Sequence, residues 1–321
     1  MANTYSQVYI QSVFAVKYRK AVLDKKWRSE ILAVIGNLIN ETECKTILVN
    51  GVEDHIHCLF HLKPKNSISD VLKIVKAKSS KYMLDRLDAV LGMEEAPIDQ
   101  KRKILQDIVK NESWYSVRIV AMDQLSKDDK SRKTIIATAS DKDSKMRGAC
   151  VDLYDTIPNW LVSSVEKLLL DSSYSVQRDA LVKLCASNPS KKNQYLETTA
   201  KELGNNAYNV RISWLSIAIA AGKTQHIDEL VDFSSVSFEF NTRRAAFAEM
   251  TKLKIYTQKG IENAWNAGQN PNSRLASGGI GYLKTAMKEN GDLNSRIQSY
   301  LDEQGKSGEQ WKTDLIQKIK Q

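Results

Sequence analysis

Two histidines separated by one apolar residue, His55-Ile56-His57, are the part of this sequence whose residue types and spacing best suit chemistry. The run around them is typical of a β-strand, in which successive side chains point to opposite faces. His55 and His57 are therefore expected to share one face, while Ile56 points into the core. Two imidazoles held side by side on a rigid backbone can bind a divalent metal ion. A pair of ordinary surface histidines gives the same spacing, so the motif alone leaves both interpretations open.

A third histidine, His61, follows His57 on the same predicted strand. In a regular strand it would face the same side as the pair. It could then be a third metal ligand, or it could be an exposed histidine at the end of the strand. The sequence leaves both alternatives open.

The elements that must position these histidines alternate between strands and helices. Apolar residues recur with the period of strands or of helices in five segments. The segments are a strand from about residue 5, a helix over 27–42, strands over 46–52 and 55–62 with a tight connection between them, and a helix after Ser67. Ser67 with Asp70 three residues later is typical of a helix N-terminal cap. The order matches most of a ferredoxin-like sandwich, with its fourth strand missing.

The same region resembles the single-tyrosine HUH transposases, a family that includes insertion-sequence and REP-associated tyrosine transposases. The resemblance is carried by the opening MANTYSQVYIQSVFAVK, by NGVEDHIH at 50–57, by LKPKNSISDVL at 62–72 and by IVKAKSSKY at 74–82. It covers about the first quarter of the chain and ends near Met83.

This resemblance implies DNA transposition by metal-assisted phosphodiester chemistry. It implies that His55 and His57 bind Mg or Mn, which polarises the scissile phosphate. It also implies a single-stranded or hairpin DNA partner and a tyrosine that attacks the phosphate and becomes covalently attached. HUH transposases of this kind generally act as dimers, so a homodimer is implied, although the helix that exchanges between subunits belongs to the part that is missing.

The tyrosine nucleophile does not carry over to this sequence. In the family it lies on a helix beyond the fourth strand, commonly in a Tyr-x-x-x-Gln turn, and the resemblance ends before that point. Tyr82 lies within the second predicted helix, and Tyr115 has Ile119 where the glutamine is needed. Tyr300 with Gln304 fits the spacing but lies near the end of the chain. We therefore assign no catalytic tyrosine and expect strand cleavage to be impaired.

Positive charge is concentrated in the same region. Residues 1–83 contain 13 Lys or Arg and 7 Asp or Glu, whereas residues 84–321 contain 34 and 31. This imbalance favours a polyanionic partner for the N-terminal part. Four lysines on the second predicted helix are candidate contacts to the DNA backbone; they are Lys73, Lys76, Lys78 and Lys81. A solvated basic face is the alternative.

The remaining bulk features indicate a cytoplasmic protein. The four cysteines form no C-x-x-C pair, which argues against a disulfide framework or a zinc knuckle. The N-terminus lacks the apolar centre of a signal peptide. No apolar run approaches the length of a membrane span, so no membrane partner is expected.

From about residue 98 the sequence becomes repetitive. Apolar segments with an arginine near the start recur at intervals of 29 to 34 residues, beginning at positions 117, 146, 176, 210, 242 and 273. A step of this size is typical of a stacked array of helical repeats, and two helices per repeat resemble HEAT repeats. One arginine per repeat is expected to make a salt bridge to the neighbouring repeat or a helix-start contact; these are Arg118, Arg147, Arg178, Arg211 and Arg244. A row of phosphate-binding arginines is the alternative.

This array is also similar to the C-terminal helical domain of gluzincin aminopeptidases, the aminopeptidase N-like group. The residues that carry this similarity are SVSFEFNTR at 235–243 and NPNSRLA at 270–276. The family's zinc-binding H-E-x-x-H helix does not occur in this sequence, and the histidine beyond residue 61, His226, has no partner in sequence. Peptidase activity is therefore not expected.

Together these patterns predict an α+β N-terminal domain, an incomplete βαββα ferredoxin-like sandwich, followed by an all-α HEAT-like solenoid. The predicted boundaries are a truncated HUH domain at 1–83, a junction at 84–97 and the repeats at 98–321. We interpret the junction as the meeting point of two truncated parts, as in a recombined gene. The predicted function is DNA binding of the transposase type. The alternative is a non-enzymatic HEAT scaffold that carries a transposase remnant and binds a protein partner through its repeats.

Overall fold

The computed structural model describes residues 7–16, 23, 25–200, 208–289 and 291–321. The chain divides into two compact units, Met1–Met146 and Arg147–Gln321, and each is considered by itself. The first unit contains the sheet and three of the four histidines, His55, His57 and His61. The second consists of helices and turns throughout its described residues.

The first unit opens with the five elements that the sequence predicts, in the predicted order. They are β1 (Val8–Ala15), α1 (Lys25–Glu41), β2 (Lys45–Gly51), β3 (His55–Leu62) and α2 (Ile68–Leu91). The predicted start of β1 near Tyr5 lies outside the described residues. Ser67 caps α2, because its hydroxyl accepts a hydrogen bond from the backbone N–H of Asp70 at 3.1 Å.

The three strands form an antiparallel sheet in the order β1-β3-β2. The central strand, β3, pairs with β1 from Val8 opposite Leu62 to Ala15 opposite His55. It pairs with β2 from Lys45 opposite His61 to Gly51 opposite Ile56, with one irregularity near Ile47. β3 therefore has neighbours on both sides, and its side chains are held in a fixed register.

Alternation along β3 separates a buried face of the sheet from an open one. Ile56, Cys58 and Phe60 are buried, whereas His55 and His57 are partly exposed. Burial raises the pKa of the Cys58 thiol to about 11, as expected for an inert core residue. We refer to the side of the sheet that carries the histidines as the open face.

Both helices pack on the buried face. Trp27 and Ile31 of α1 and Val71 and Val75 of α2 form one core cluster with the buried residues of β3. Full burial of an aliphatic or aromatic side chain contributes roughly 1.5–3 kcal/mol. The register of β3 is therefore strongly specified, because a slip by one residue would exchange Phe60 for a histidine in this core.

Three further helices complete the described part of the first unit before its boundary. They are α3 (Ile98–Asn111), α4 (Tyr115–Leu125) and α5 (Arg132–Thr138). Trp114 lies immediately before α4 and packs against Trp27, with ring centroids 6.0 Å apart. Arg86 of α2 contacts both Glu30 and Glu112. These helices therefore support the helical side of the sheet, while the open face keeps exposed apolar side chains such as Val13 and Leu48.

The predicted junction contains the end of a helix. α2 continues to Leu91, so the first half of residues 84–97 is helical, and α3 begins at Ile98. The domain boundaries themselves stay a prediction.

Six helices begin close to the predicted repeat starts. Besides α4, they are α6 (Ser144–Asp152), α8 (Tyr174–Ser187), α10 (Tyr208–Ala220), α12 (Phe240–Lys252) and α14 (Ser273–Met287). The helices that alternate with them are α5, α7 (Asn159–Lys167), α9 (Lys192–Ala200), α11 (Ile227–Asp232), α13 (Gln258–Gly268), α15 (Gly291–Gly305) and, at the end, α16 (Gln310–Lys320). The prediction of a helical C-terminal region is therefore confirmed. Within the ranges that the structure describes, no helix is both long enough and apolar enough to cross a bilayer.

Candidate metal and DNA site

The two histidines of the motif lie side by side on the open face. The ring centroids of His55 and His57 are 4.9 Å apart, and the ring planes meet at 61°. Both side chains are partly exposed, while Ile56 between them is 5% exposed. The alternation that the sequence predicts is therefore confirmed, and the two imidazoles can approach one ion from the same side.

Asp54 orients the first of these rings. Nδ1 of His55 lies 2.6 Å from Oδ1 of Asp54. A carboxylate at this position favours the tautomer with the proton on Nδ1, which leaves Nε2 of His55 free to bind a metal ion. Metal-binding histidines in proteins commonly have such a carboxylate partner. The sequence interpretation overlooked Asp54, although its place directly before the motif was the available signal.

The connection before β3 is held in place by Gly51 and Arg28. A Cβ atom on Gly51 would lie 2.7 Å from the backbone oxygen of His55, so a larger residue cannot occupy this position without a shift. Arg28 of α1 donates hydrogen bonds to the backbone oxygens of Leu23, at 2.9 Å, and of Gly51, at 3.2 Å. The backbone N–H of Val52 also donates to the oxygen of His55 at 3.0 Å. His55 is thus positioned by a rigid turn.

His61 shares the open face but lies away from the pair. It is four residues beyond His57, which corresponds to about 13 Å along a strand. Its ring packs edge-on against Tyr9 of β1, with centroids 5.8 Å apart. This arrangement favours the second alternative, an exposed histidine at the strand end. Among the described residues, no group of three or more His, Cys, Asp and Glu side chains could hold a metal ion, so other ligands would come from solvent or substrate.

Tyr82 lies on the opposite side of the sheet from the histidines. It belongs to α2, which packs on the buried face, and its hydroxyl donates to Oε1 of Glu30 at 2.7 Å. This hydrogen bond raises the pKa of Tyr82, which disfavours the phenolate form that a nucleophile needs. Tyr115 begins α4, and Tyr300 lies in α15 of the second unit, where burial raises its pKa. Tyr82 is therefore not placed beside the His55–His57 pair, and none of the three tyrosines is assigned as the nucleophile.

Three other tyrosines bear on the question of a nucleophile. Tyr9 shares the open face, but it pairs with His61 and lies about 13 Å along the sheet from His57. Tyr5 and Tyr18 lie outside the described residues.

The four predicted lysines project from α2, not from the open face. All four are exposed, but Lys78 forms an ion pair with Glu41 at 2.7 Å, and the ammonium of Lys76 lies 5.4 Å from the centre of the Phe14 ring. The structure therefore does not bring Lys73, Lys76, Lys78 and Lys81 together with the histidines. On the open face, the cation that the sequence interpretation missed is Lys45, which lies opposite His61.

Arginines of the helical repeats are held by structural contacts. Arg118 donates from Nε to the backbone oxygen of Val109 at 2.7 Å and forms an ion pair with Asp141. Arg147 contacts both carboxylate oxygens of Asp171 at 2.6 and 2.8 Å. Arg211 contacts both carboxylate oxygens of Glu229, at 2.6 and 2.7 Å. The expected salt bridges are therefore present at these three positions.

At two repeats, the residue that makes the core contact is the one directly before the predicted arginine. At the fifth repeat, Arg243 is buried and donates to the backbone oxygen of Ser234, whereas Arg244 is exposed. At the third, Gln177 makes the corresponding contact to the backbone of Leu169, and Arg178 contacts the adjacent Asp179. The physical reason is helical phase, since adjacent residues point about 100° apart and one of them faces the core.

Comparison with known proteins bears directly on this site. Residues 4–94 match the family model of the IS200-like transposases. The matched range includes β1, the His-Ile-His strand and all of α2, and it ends shortly before α3. No curated protein matches the chain. The match supports a transposase-type function in general and the resemblance of the N-terminal part to that family.

Proposed function

We propose that the N-terminal part of this chain binds single-stranded or hairpin DNA and holds Mg or Mn between His55 and His57. The observation that carries this proposal is the placement of the two imidazoles, 4.9 Å apart on the open face, within the range that matches a transposase family. The ferredoxin-like description belongs to the same proposal. The strand order β1-β3-β2 supports it, because among the described residues β1 pairs with β3 alone, and a fourth strand would pair along its other edge.

The arrangement suits a divalent ion that contacts a phosphodiester. The bound metal would neutralise negative charge on the phosphate oxygens. Asp54 holds the His55 ring with Nε2 outward, and the rigid β3 backbone keeps His57 beside it. The exposed amide of Asn50 lies opposite His57 in the adjacent strand, where it can contact a nucleotide beside the ion. The chain's own residues thus supply positioning and charge complementarity.

We further propose that strand cleavage is impaired. A nucleophilic tyrosine must reach the phosphate held by the metal ion. Tyr82 is on the other side of the sheet and hydrogen-bonded to Glu30, and Tyr9 is about 13 Å along the strand from His57. The expected activity is therefore DNA binding without a covalent protein–DNA intermediate.

The proposal is tested with the full-length chain and a labelled hairpin DNA with single-stranded flanks, in Mn or in EDTA. We expect binding that is strengthened by Mn, and loss of the Mn effect in both His55→Ala and His57→Ala. His61→Ala is the matched control, since it removes an imidazole from the same face of the same strand and should retain the Mn effect. Absence of DNA binding by the unaltered chain would contradict the proposal. A covalent adduct on denaturing gels would contradict impaired cleavage.

A second proposal concerns the helical region, which we propose to be a HEAT-like scaffold related to an aminopeptidase C-terminal domain. Its support is the recurrence of buried arginine contacts, such as Arg147 with Asp171, that serve packing. We propose that residues 98–321 fold alone and bind a protein partner. A cooperative thermal transition of that fragment is expected, and a non-cooperative one would contradict this proposal. We also propose that the chain forms a homodimer, which light scattering would test. A cytoplasmic location is a further proposal, which cell fractionation would test.

A further inference from the structure

The open face carries a second group of residues that the metal site does not use. Tyr9, His61 and Lys45 are directly opposite one another on β1, β3 and β2, so they form one row across the sheet. We call these three residues the aromatic row. Their side chains share the face of the His55–His57 pair, because directly paired residues of antiparallel strands point the same way.

The aromatic row exposes ring surface and charge to solvent. Tyr9 is 54% exposed, although aromatic residues usually bury most of their area. His61 packs against it in a T-shaped arrangement, with the ring planes at 64°, and about half of Tyr9 stays open to solvent beside this contact. Gln7 donates a hydrogen bond to the Tyr9 hydroxyl and steadies the ring further. Lys45 is exposed and makes no ion pair with any described residue.

The spacing of the row suits a nucleic-acid strand that also reaches the histidine pair. Neighbouring strands are about 4.8 Å apart, which places Lys45 about 10 Å from Tyr9 across the sheet. The row lies about 13 Å along β3 from His57. An extended strand with a phosphate at His55 and His57 would therefore place a nearby nucleotide over the aromatic row.

We infer that the aromatic row is a stacking site for an unpaired base of single-stranded DNA, with Lys45 contacting a flanking phosphate. This inference rests on the proposed function and names the part of the substrate that lies beyond the metal ion. Stacking on an aromatic ring requires a base whose face is free, so the row selects unpaired over duplex DNA. It tolerates any base, because every base has a π-face.

The inference is tested with the full-length chain and fluorescent single-stranded DNA. Replacement of Tyr9 by Ala removes the stacking surface and should weaken binding about tenfold, as for other base–aromatic contacts. Tyr9→Phe keeps the ring and should bind close to the unaltered chain. Val8→Ala is the matched control, since Val8 is also exposed on β1 but is adjacent in sequence and points to the other side. Duplex DNA of the same length should bind Tyr9→Ala and the unaltered chain equally.

A scan of abasic positions locates the base that stacks. For the unaltered chain, one abasic position should weaken binding about as much as Tyr9→Ala does. In Tyr9→Ala the same abasic site should weaken DNA binding no further. The two losses of affinity are not additive when both changes remove the same contact. Additive losses would overturn the stacking inference.

The outcomes separate this inference from the proposed function. If the unaltered chain binds DNA with a Mn effect that depends on His55 and His57, but Tyr9→Ala binds equally well, only the stacking site is overturned. If the unaltered chain binds no DNA, the proposed function fails and the stacking site fails with it. Mn binding measured without DNA should be unchanged in Tyr9→Ala, since Tyr9 lies about 13 Å from the pair.

Discussion

The open face of the sheet and the arginine sites of the helical repeats use polar residues in opposite ways. Arg118 and Arg147 are largely buried, and acidic partners and backbone oxygens satisfy their guanidinium groups. On the open face His57 is partly exposed and Lys45 is exposed, and no described side chain forms an ion pair with either. Charge alone therefore does not mark the proposed DNA site. What distinguishes the open face is that its polar groups remain available to a ligand.

The sharpest contrast is between the two faces of the sheet itself. Phe60→Ala empties a fully buried position in the core and should lower the free energy of unfolding by about 3–5 kcal/mol. Val13→Ala on the open face should change it by about 0.5 kcal/mol or less. Urea denaturation of both variants gives the comparison. Equal losses would mean that another part of the chain covers the open face.

The arginine sites can be tested in the same way. Arg118→Ala leaves Asp141 and the backbone oxygen of Val109 without their partner, and we expect a loss of about 3 kcal/mol. Arg244→Ala is the control, because Arg244 is exposed and should cost about 0.5 kcal/mol or less. DNA affinity should not change in stably folded Arg118→Lys. A large loss of DNA affinity there would favour the alternative of a phosphate-binding arginine row.

Gly51 lies at the end of β2, in close contact with the backbone of His55. Gly51→Ala introduces a Cβ atom 2.7 Å from the His55 backbone oxygen and should destabilise the unit by about 1–3 kcal/mol. Because the strain falls on His55, Mn affinity should decrease as well. Gly36→Ala is the control, since its Cβ would meet ordinary contacts at 3.6 Å. A Gly51→Ala variant with unaltered Mn affinity would show that the turn does not position the ring.

The smallest expected effect concerns acid stability. The hydrogen bond from Arg102 lowers the pKa of Asp128 to about 2 in the folded state. An Asp is near 3.9 when unfolded, so this pair stabilises the fold above about pH 4 and loses its contribution as the pH falls toward 2. The stability difference between the unaltered chain and Asp128→Asn should therefore shrink between pH 5 and pH 2. A constant difference across that range would contradict the contribution of this ion pair.

Local patterns predicted much of this molecule. Alternation placed His55 and His57 on one face, and the spacing of apolar residues gave α1, β3 and the starts of the repeat helices. The aromatic row could not be predicted, because it depends on which residue of β1 lies opposite His61, and strand register is set by tertiary packing. The prediction of Arg244 instead of Arg243 is wrong for a related reason. Two adjacent arginines give the same sequence pattern, and only the packed helix shows which one faces the core.

Manganese binding by the histidine pair tests the central claim most directly. Crystals of the full-length chain soaked in Mn, with data collected at a wavelength where Mn scatters anomalously, would show where the ion lies. We expect an anomalous peak within direct bonding distance of a ring nitrogen of both His55 and His57, with Asp54 still hydrogen-bonded to Nδ1 of His55. Empty rings, or rings turned apart with the ion elsewhere, would contradict the account.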